Sequence, residues 1–327
     1  MSIRAWRLAF KMQRLELLIF VAAAVLVTAA SVLIAWGASE ARASFDACYQ
    51  AQGTDAGCGT SPSLNDFSMW GGFARISAFL TPFALGLLLG VPIVAREIEG
   101  RTAGIAWTLS RSRTRWLIGR VLPLAVMVVV VAAAVGIGSE FVTRTNPFAD
   151  FAGNPGFADH TARGWMLPVR ALAVLALGVA VGAMVPRQLP ALLLAGAVTL
   201  ALFVGLSIGM DTWMSAEAEP IPIDEEGRFG PFGGGPRIFD VAYRIDATGE
   251  VISEDDFYNR YGEDIFVPDG EQPEGFTQVA IGIPGEEYWT WALRESAILG
   301  AVAIASGGLA AASTALAAVV VGRRRPG

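Results

Sequence analysis

One histidine, one lysine and two cysteines bound what chemistry this sequence can do: His160, Lys11, Cys48 and Cys58. A zinc site of the HExxH kind needs two histidines, and so does a His-rich metal cluster, so neither can be built here. Lys11 follows Phe10 with no glycine before it. The lysine that would reach the β- and γ-phosphates from a P-loop is therefore missing. A Ser-His-Asp triad would have to take His160 from the stretch FADHTAR. Metal and catalytic roles are predicted to be absent. The remaining candidates are charges set inside apolar runs: Arg75, Arg170, Arg294 and Glu295, with Glu140 and Asp211 near run ends. Charged groups there are expensive and face protein or a cavity. Arg75 or Arg170 is placed to pair with Glu295 across the bundle, or to line a vestibule.

Those charges are positioned by six long apolar stretches, in a chain that is 54% apolar. They fall at about 16–36, 70–94, 117–139, 166–185, 189–210 and 290–322. A run of about 20 residues is what a hydrocarbon layer of ~30 Å asks of a helix. The first lacks a cleavage signature and is read as a retained span. The predicted fold is an all-α integral membrane protein of six transmembrane helices. Gly86/Gly90, Gly178/Gly182 and Gly205/Gly209 have the spacing that lets helix backbones approach closely. Pro82, Pro92, Pro123 and Pro168 would kink or end helices.

Orientation follows from arginine placement. With both termini cytoplasmic, the inner segments carry 14 of the 24 basic residues, against Glu16, Glu97 and Glu99 as the only inner acids. Six tryptophans then fall at predicted outer span ends, and Trp6, Trp107 and Trp116 fall at the inner face, levels where an apolar ring with a polar N–H prefers to sit. Cys48 and Cys58 lie ten residues apart in the first outer loop, 37–69. An exoplasmic pair at that spacing is most simply a disulfide, with two free thiols as the plainer alternative.

Outside the spans, residues 1–15 carry Arg4, Arg7, Lys11 and Arg14 at helical spacing, with apolar residues for the other face. They read as a cytoplasmic interfacial helix, or as a basic tail that only sets topology. Residues 211–288 hold 19 acids and four arginines and open with a linker, EGRFGPFGGGPR. RIFDVAYRID and EVIS flank ATG as a β-hairpin, and SEDDFYNRYGEDIF has helical character. This segment is expected to be an extracellular mixed α/β insertion between spans five and six. Its acidity suits a cationic ligand or simply a solvated surface. Residues 289–327 then supply the sixth span and a basic cytoplasmic tail.

The stretch AREIEGRTAGIAWTLSRSRTRWLIGR, 95–120, packs six arginines, two glutamates and two tryptophans between two spans. With the preceding GLLLGVPIV it resembles the region after the second span of ABC-2 type transporter permeases, notably those of high-GC Gram-positive bacteria. Ala95, Arg96, Glu97, Glu99, Thr102, Trp107, Ser110, Arg113, Arg115, Trp116 and Arg120 carry the likeness. Arg101, inserted before Thr102, and Arg120, in place of a usual lysine, depart from it. EEYWTWALRESAILG resembles the family's aromatic-then-Glu opening of the sixth span, with Glu295 at the acidic position.

The resemblance implies a permease subunit of an ABC exporter in a bacterial plasma membrane, with a coupling helix at about 95–112 in the span-bearing region 16–210. Glu97, Glu99, Arg101, Thr102 and Trp107 would meet a separate ATPase subunit. It further implies two ATPase copies holding ATP and Mg, and a second copy of this permease or a paralogous one. No cofactor on this chain, no nucleic acid, and contact with membrane lipids complete the expectation. The cargo would be lipophilic or amphipathic. Two other readings stand beside it. One is a non-transporting scaffold or sensor whose outer segment binds a ligand. The other is an integral membrane enzyme, which the short inventory of catalytic groups disfavours.

Overall fold

The computed structural model describes residues 14–52, 62–100, 113–145, 160–185, 187–222, 237–261 and 275–323. The interfacial stretch 1–13, Cys58, the 101–112 part of the charged segment and most of the linker lie outside the described residues.

Seven α-helices are described: α1 (Arg14–Gln52), α2 (Pro62–Glu99), α3 (Arg113–Arg144), α4 (Met166–Met184), α5 (Gln188–Ala216), the short α6 (Glu254–Tyr261) and α7 (Tyr288–Arg323). All but α6 are long and apolar enough to cross a membrane, six among the described residues. All of these but α4 outrun the apolar stretches that announce them. Helix α1 continues to Gln52, and α2 begins at Pro62, inside what the sequence suggests is an outer loop over 37–69. The reason is local. GASEARASFDACYQAQ is rich in alanine and has no proline, so helix propensity persists where hydrophobicity stops. In the same way α5 runs to Ala216, six residues into the 211–288 segment. Pro168 falls in the first turn of α4, where a missing N–H costs nothing, so it starts the helix rather than kinking it.

The chain divides into two compact units. The first comprises Met1–Thr145, Thr161–Val204 and Ala292–Gly327. Its core is a cluster of buried side chains from α1 to α4, with Leu85, Leu89, Val128, Val135, Leu167 and Leu175 near its centre. The seam between α2 and α4 is drawn tight by glycine. A Cβ on Gly86 would lie 2.5 Å from Val174 Cβ, one on Gly90 2.8 Å from the Leu175 carbonyl oxygen, and one on Gly182 2.6 Å from the Val91 carbonyl oxygen. The third predicted pair differs, since added Cβ atoms on Gly205 and Gly209 would meet nothing within 4 Å. Several hydroxyls inside these helices are turned back on their own backbone. Thr81, Thr143 and Ser296 each donate to the carbonyl four residues earlier, which keeps the polar atom satisfied without a second helix.

The second unit is Asn146–His160 with Gly205–Trp291. It holds a four-stranded antiparallel sheet in the order β1-β4-β2-β3, from β1 (Glu219–Pro222), β2 (Arg237–Ile245), β3 (Val251–Ser253) and β4 (Phe276–Ile283). The hairpin expected around ATG joins β2 to β3, with Gly249 at φ 72° closing the turn. Helix α6 packs Phe257 onto the sheet, stacked on Tyr243 at 4.1 Å and edge-on to Phe276 at 5.0 Å. Burial pushes the Tyr243 hydroxyl up to about 12, helped by its contact with Tyr258.

Candidate functional site

Among the described residues, polar groups gather at several places on the apolar helices of the first unit, and two of these join distant helices. The first lies near the start of α4. Arg170 donates from Nε to Glu295 Oε1 of α7 at 3.0 Å, and from Nη2 to the same oxygen. Both residues are buried, Glu295 to 1% exposure. The Arg170 guanidinium also lies over the Phe203 ring of α5, 5.0 Å from its centre, and Phe203 in turn meets Phe83 of α2 at 5.3 Å. Three helices thus converge on one arginine.

The sequence explains each placement. Arg170 occupies the second turn of α4, on a helix whose residues are buried around most of its circumference. Glu295 lies on the narrow buried stripe of α7 formed by Trp291, Ala292, Leu299, Ser306 and Ala310. That spacing follows the helical repeat, and residues between these positions, such as Leu293, Ile304 and Leu309, are exposed. The pair is closed and neutral as a whole, so it adds no net charge to the bundle. Its geometry suits a bolt between α4 and α7. An opened pair would expose either charge to a ligand. Thr199, one turn before Phe203 on α5, is fully buried, and its hydroxyl has no hydrogen-bond partner in the structure. Arg75 and Arg294 are half-buried on α2 and α7.

The second polar place is at the other end of α2. Ala95 to Glu99 are the last residues of that helix. Glu97 Oε1 accepts from Arg120 Nη1 of α3 at 2.5 Å, and Arg120 lies over the Trp116 ring at 4.9 Å. The two flanks of the charged segment are thereby pinned to each other. Glu99 Oε2 accepts the backbone N–H of Gln188, the first residue of α5, at 2.9 Å. The acids that the sequence assigns to an outside partner therefore have partners within the chain. Arg101, Thr102 and Trp107 lie outside the described residues. Nearby, a cleft of about 340 Å³ is lined by Ile19, Phe20, Leu88, Pro92, Gln188 and Leu192. Five of these six are apolar, so the cleft suits an apolar guest.

Other contacts escape a sequence reading. Gly136 on α3 has the backbone of Gly164 against it: Gly164 N–H donates to the Gly136 carbonyl at 3.0 Å, and a Cβ on Gly136 would lie 2.3 Å from the Gly164 carbonyl oxygen. Gly164 itself has φ 52°. Beside it, Glu140 accepts from Arg144 at 2.9 Å and faces Arg163 at 3.6 Å. The run GLSIG, 205–209, has the GxSxG spacing of a hydrolase nucleophile turn. It lies within α5, not between a strand and a helix, so Ser207 is not presented as such a nucleophile. Cys48 is disulfide-bonded, and Cys58 lies outside the described residues. No group of three or more His, Cys, Asp or Glu that would hold a metal occurs among the described residues.

Comparison with known proteins gives one match. The family model described as "ABC-2 membrane transporter related" fits residues 17–215. No curated protein and no solved structure matches.

Proposed function

Since the chain belongs to the ABC-2 membrane transporter related family, we propose that it is the membrane subunit of an ATP-driven exporter that works with a separate ATPase. The match over 17–215 carries this reading. It takes in helices α1 to α5 and the charged segment between α2 and α3. The absence of a P-loop lysine from the sequence supports the division of labour.

In this proposal the termini and the charged segment face the cytoplasm, as their arginines favour, and the β-sheet unit faces outward. The charged segment, 95–112, docks on the ATPase through Arg101, Thr102 and Trp107, with Glu97 shaping its root. Two permease chains, identical or paralogous, pair with two ATPases carrying ATP and Mg. ATP binding closes the ATPases, and the docked segments tilt the helices between inward- and outward-open forms. The apolar cleft between α1, α2 and α5 supports a lipophilic or amphipathic cargo.

Co-purification tests the reading. The full chain, solubilised with its membranes, is expected to bring an ABC ATPase with it. Arg101→Glu combined with Trp107→Ala is expected to lower the recovered ATPase at least tenfold while leaving the permease folded. A chain that purifies without any ATPase, and whose cells show no ATP-dependent efflux, would sink the proposal.

A further inference from the structure

Glu99 joins two parts of the chain that are 89 residues apart. The N–H groups of a helix's first turn have no partner inside the helix. In α5 the third of these positions is Pro190, which has no N–H, and Ala191 N–H donates to the Arg187 carbonyl at 3.1 Å. The Gln188 N–H goes to the Glu99 carboxylate, which also lies at the positive end of the α5 dipole.

Packing reinforces the join. Val91 and Ala95 of α2, Val181 of α4, and Ala191 and Ala195 of α5 form one buried cluster, with Leu192 against it. The first two turns of α5 are therefore held to the end of α2. Farther along, Thr199 and Phe203 of α5 are buried, while Leu200 and Val204 are exposed. The helix is thus gripped at its first two turns. The grip sits two residues before Arg101, the first residue assigned to ATPase docking.

We propose that Glu99 is a positioning residue for transport, tying the docking segment to α5 so that motion imposed on the segment is passed to that helix. This rests on the permease reading. Glu99 does its work within the chain and is not needed for holding the ATPase. Glu97 acts differently. Its pairing with Arg120 fixes the shape of the segment root, so a Glu97 variant disturbs docking and coupling together.

The test uses the permease–ATPase complex in lipid nanodiscs. Spin labels are placed at Ile118→Cys on α3 and Leu193→Cys on α5, both exposed positions, in a Cys48→Ser, Cys58→Ser background. Their separation is read by pulsed EPR without nucleotide and after trapping with ATP and vanadate. The double-labelled parent is expected to show a nucleotide-dependent change in separation. Glu99→Ala is expected to keep its ATPase and at least half of the hydrolysis rate, while the change in separation falls below half. Glu99→Gln retains an acceptor oxygen and is expected to restore most of the change. Three results overturn the inference: an unaltered change in Glu99→Ala, loss of the ATPase from Glu99→Ala, or no change in the parent. A parent chain that binds no ATPase removes the permease reading as well, and that outcome is visible before any variant is compared.

Discussion

Replacing Glu295 with glutamine leaves the Arg170 guanidinium charged and buried, with the Phe203 ring and a neutral amide beside it. Breaking one half of a buried pair costs about 3–5 kcal/mol, whereas replacing both halves by apolar groups is often neutral. Glu295→Gln and Arg170→Met are each expected to lower the thermal unfolding midpoint of the purified protein sharply. The double variant Arg170→Met, Glu295→Leu is expected to recover most of it. If the double variant is stable yet transports nothing, the charges serve cargo or motion rather than cohesion. Tyr243 offers a separate measurement. Its hydroxyl titrates at about 12 in the folded unit, against an ordinary 10.0. The neutral form is favoured by folding, so this stabilisation is complete below pH 10 and is lost as pH rises through 12. Absorbance titration of tyrosinate is expected to show one late step that Tyr243→Phe deletes.

The glycine seam is the feature that individual helices cannot supply alone. Gly182→Ala would place a methyl 2.6 Å from a main-chain oxygen that cannot swing away, and Gly90→Ala is only slightly better placed. Overpacking of this kind costs about 1–3 kcal/mol, so both are expected to unfold at lower temperature. Gly205→Ala and Gly209→Ala meet open space and are expected to be neutral or stabilising by up to about 1 kcal/mol, since alanine favours a helix. Sequence alone gave all three glycine pairs the same spacing. What separates them is which helix lies opposite, and that is decided by the whole packing. The six apolar helices were legible because hydrophobicity is local and continuous over a span. Their true ends at Gln52 and Ala216 were not, because helix propensity continues after hydrophobicity stops. The hairpin around ATG was legible from its turn residues. The charges now seen as Arg170–Glu295 were legible as intramembrane candidates, although which arginine met Glu295 was open. The Glu99 contact was hidden, because its partner is a main-chain N–H and no residue type announces it.

At the scale of the whole chain, the proposed orientation makes a labelling prediction. Ala247→Cys lies in the exposed turn between β2 and β3, and Arg187→Cys lies just before α5. In intact cells, with both native cysteines replaced, a membrane-impermeant maleimide is expected to modify the first and spare the second. The opposite pattern would invert the topology. The Arg170–Glu295 pair also bears on how such a chain is made. Its two members are 125 residues apart, so ribosomal synthesis delivers the arginine with the fourth span and the neutralising carboxylate only with the last. During that interval α4 is a helix with an uncompensated cation, the kind of feature that membrane quality-control proteases and insertion chaperones can detect. Truncated chains ending before Glu295 are expected to be degraded quickly, and Arg170→Met is expected to lengthen their lifetime in a pulse-chase experiment. On that outcome the ion pair would double as a marker that α7 has arrived.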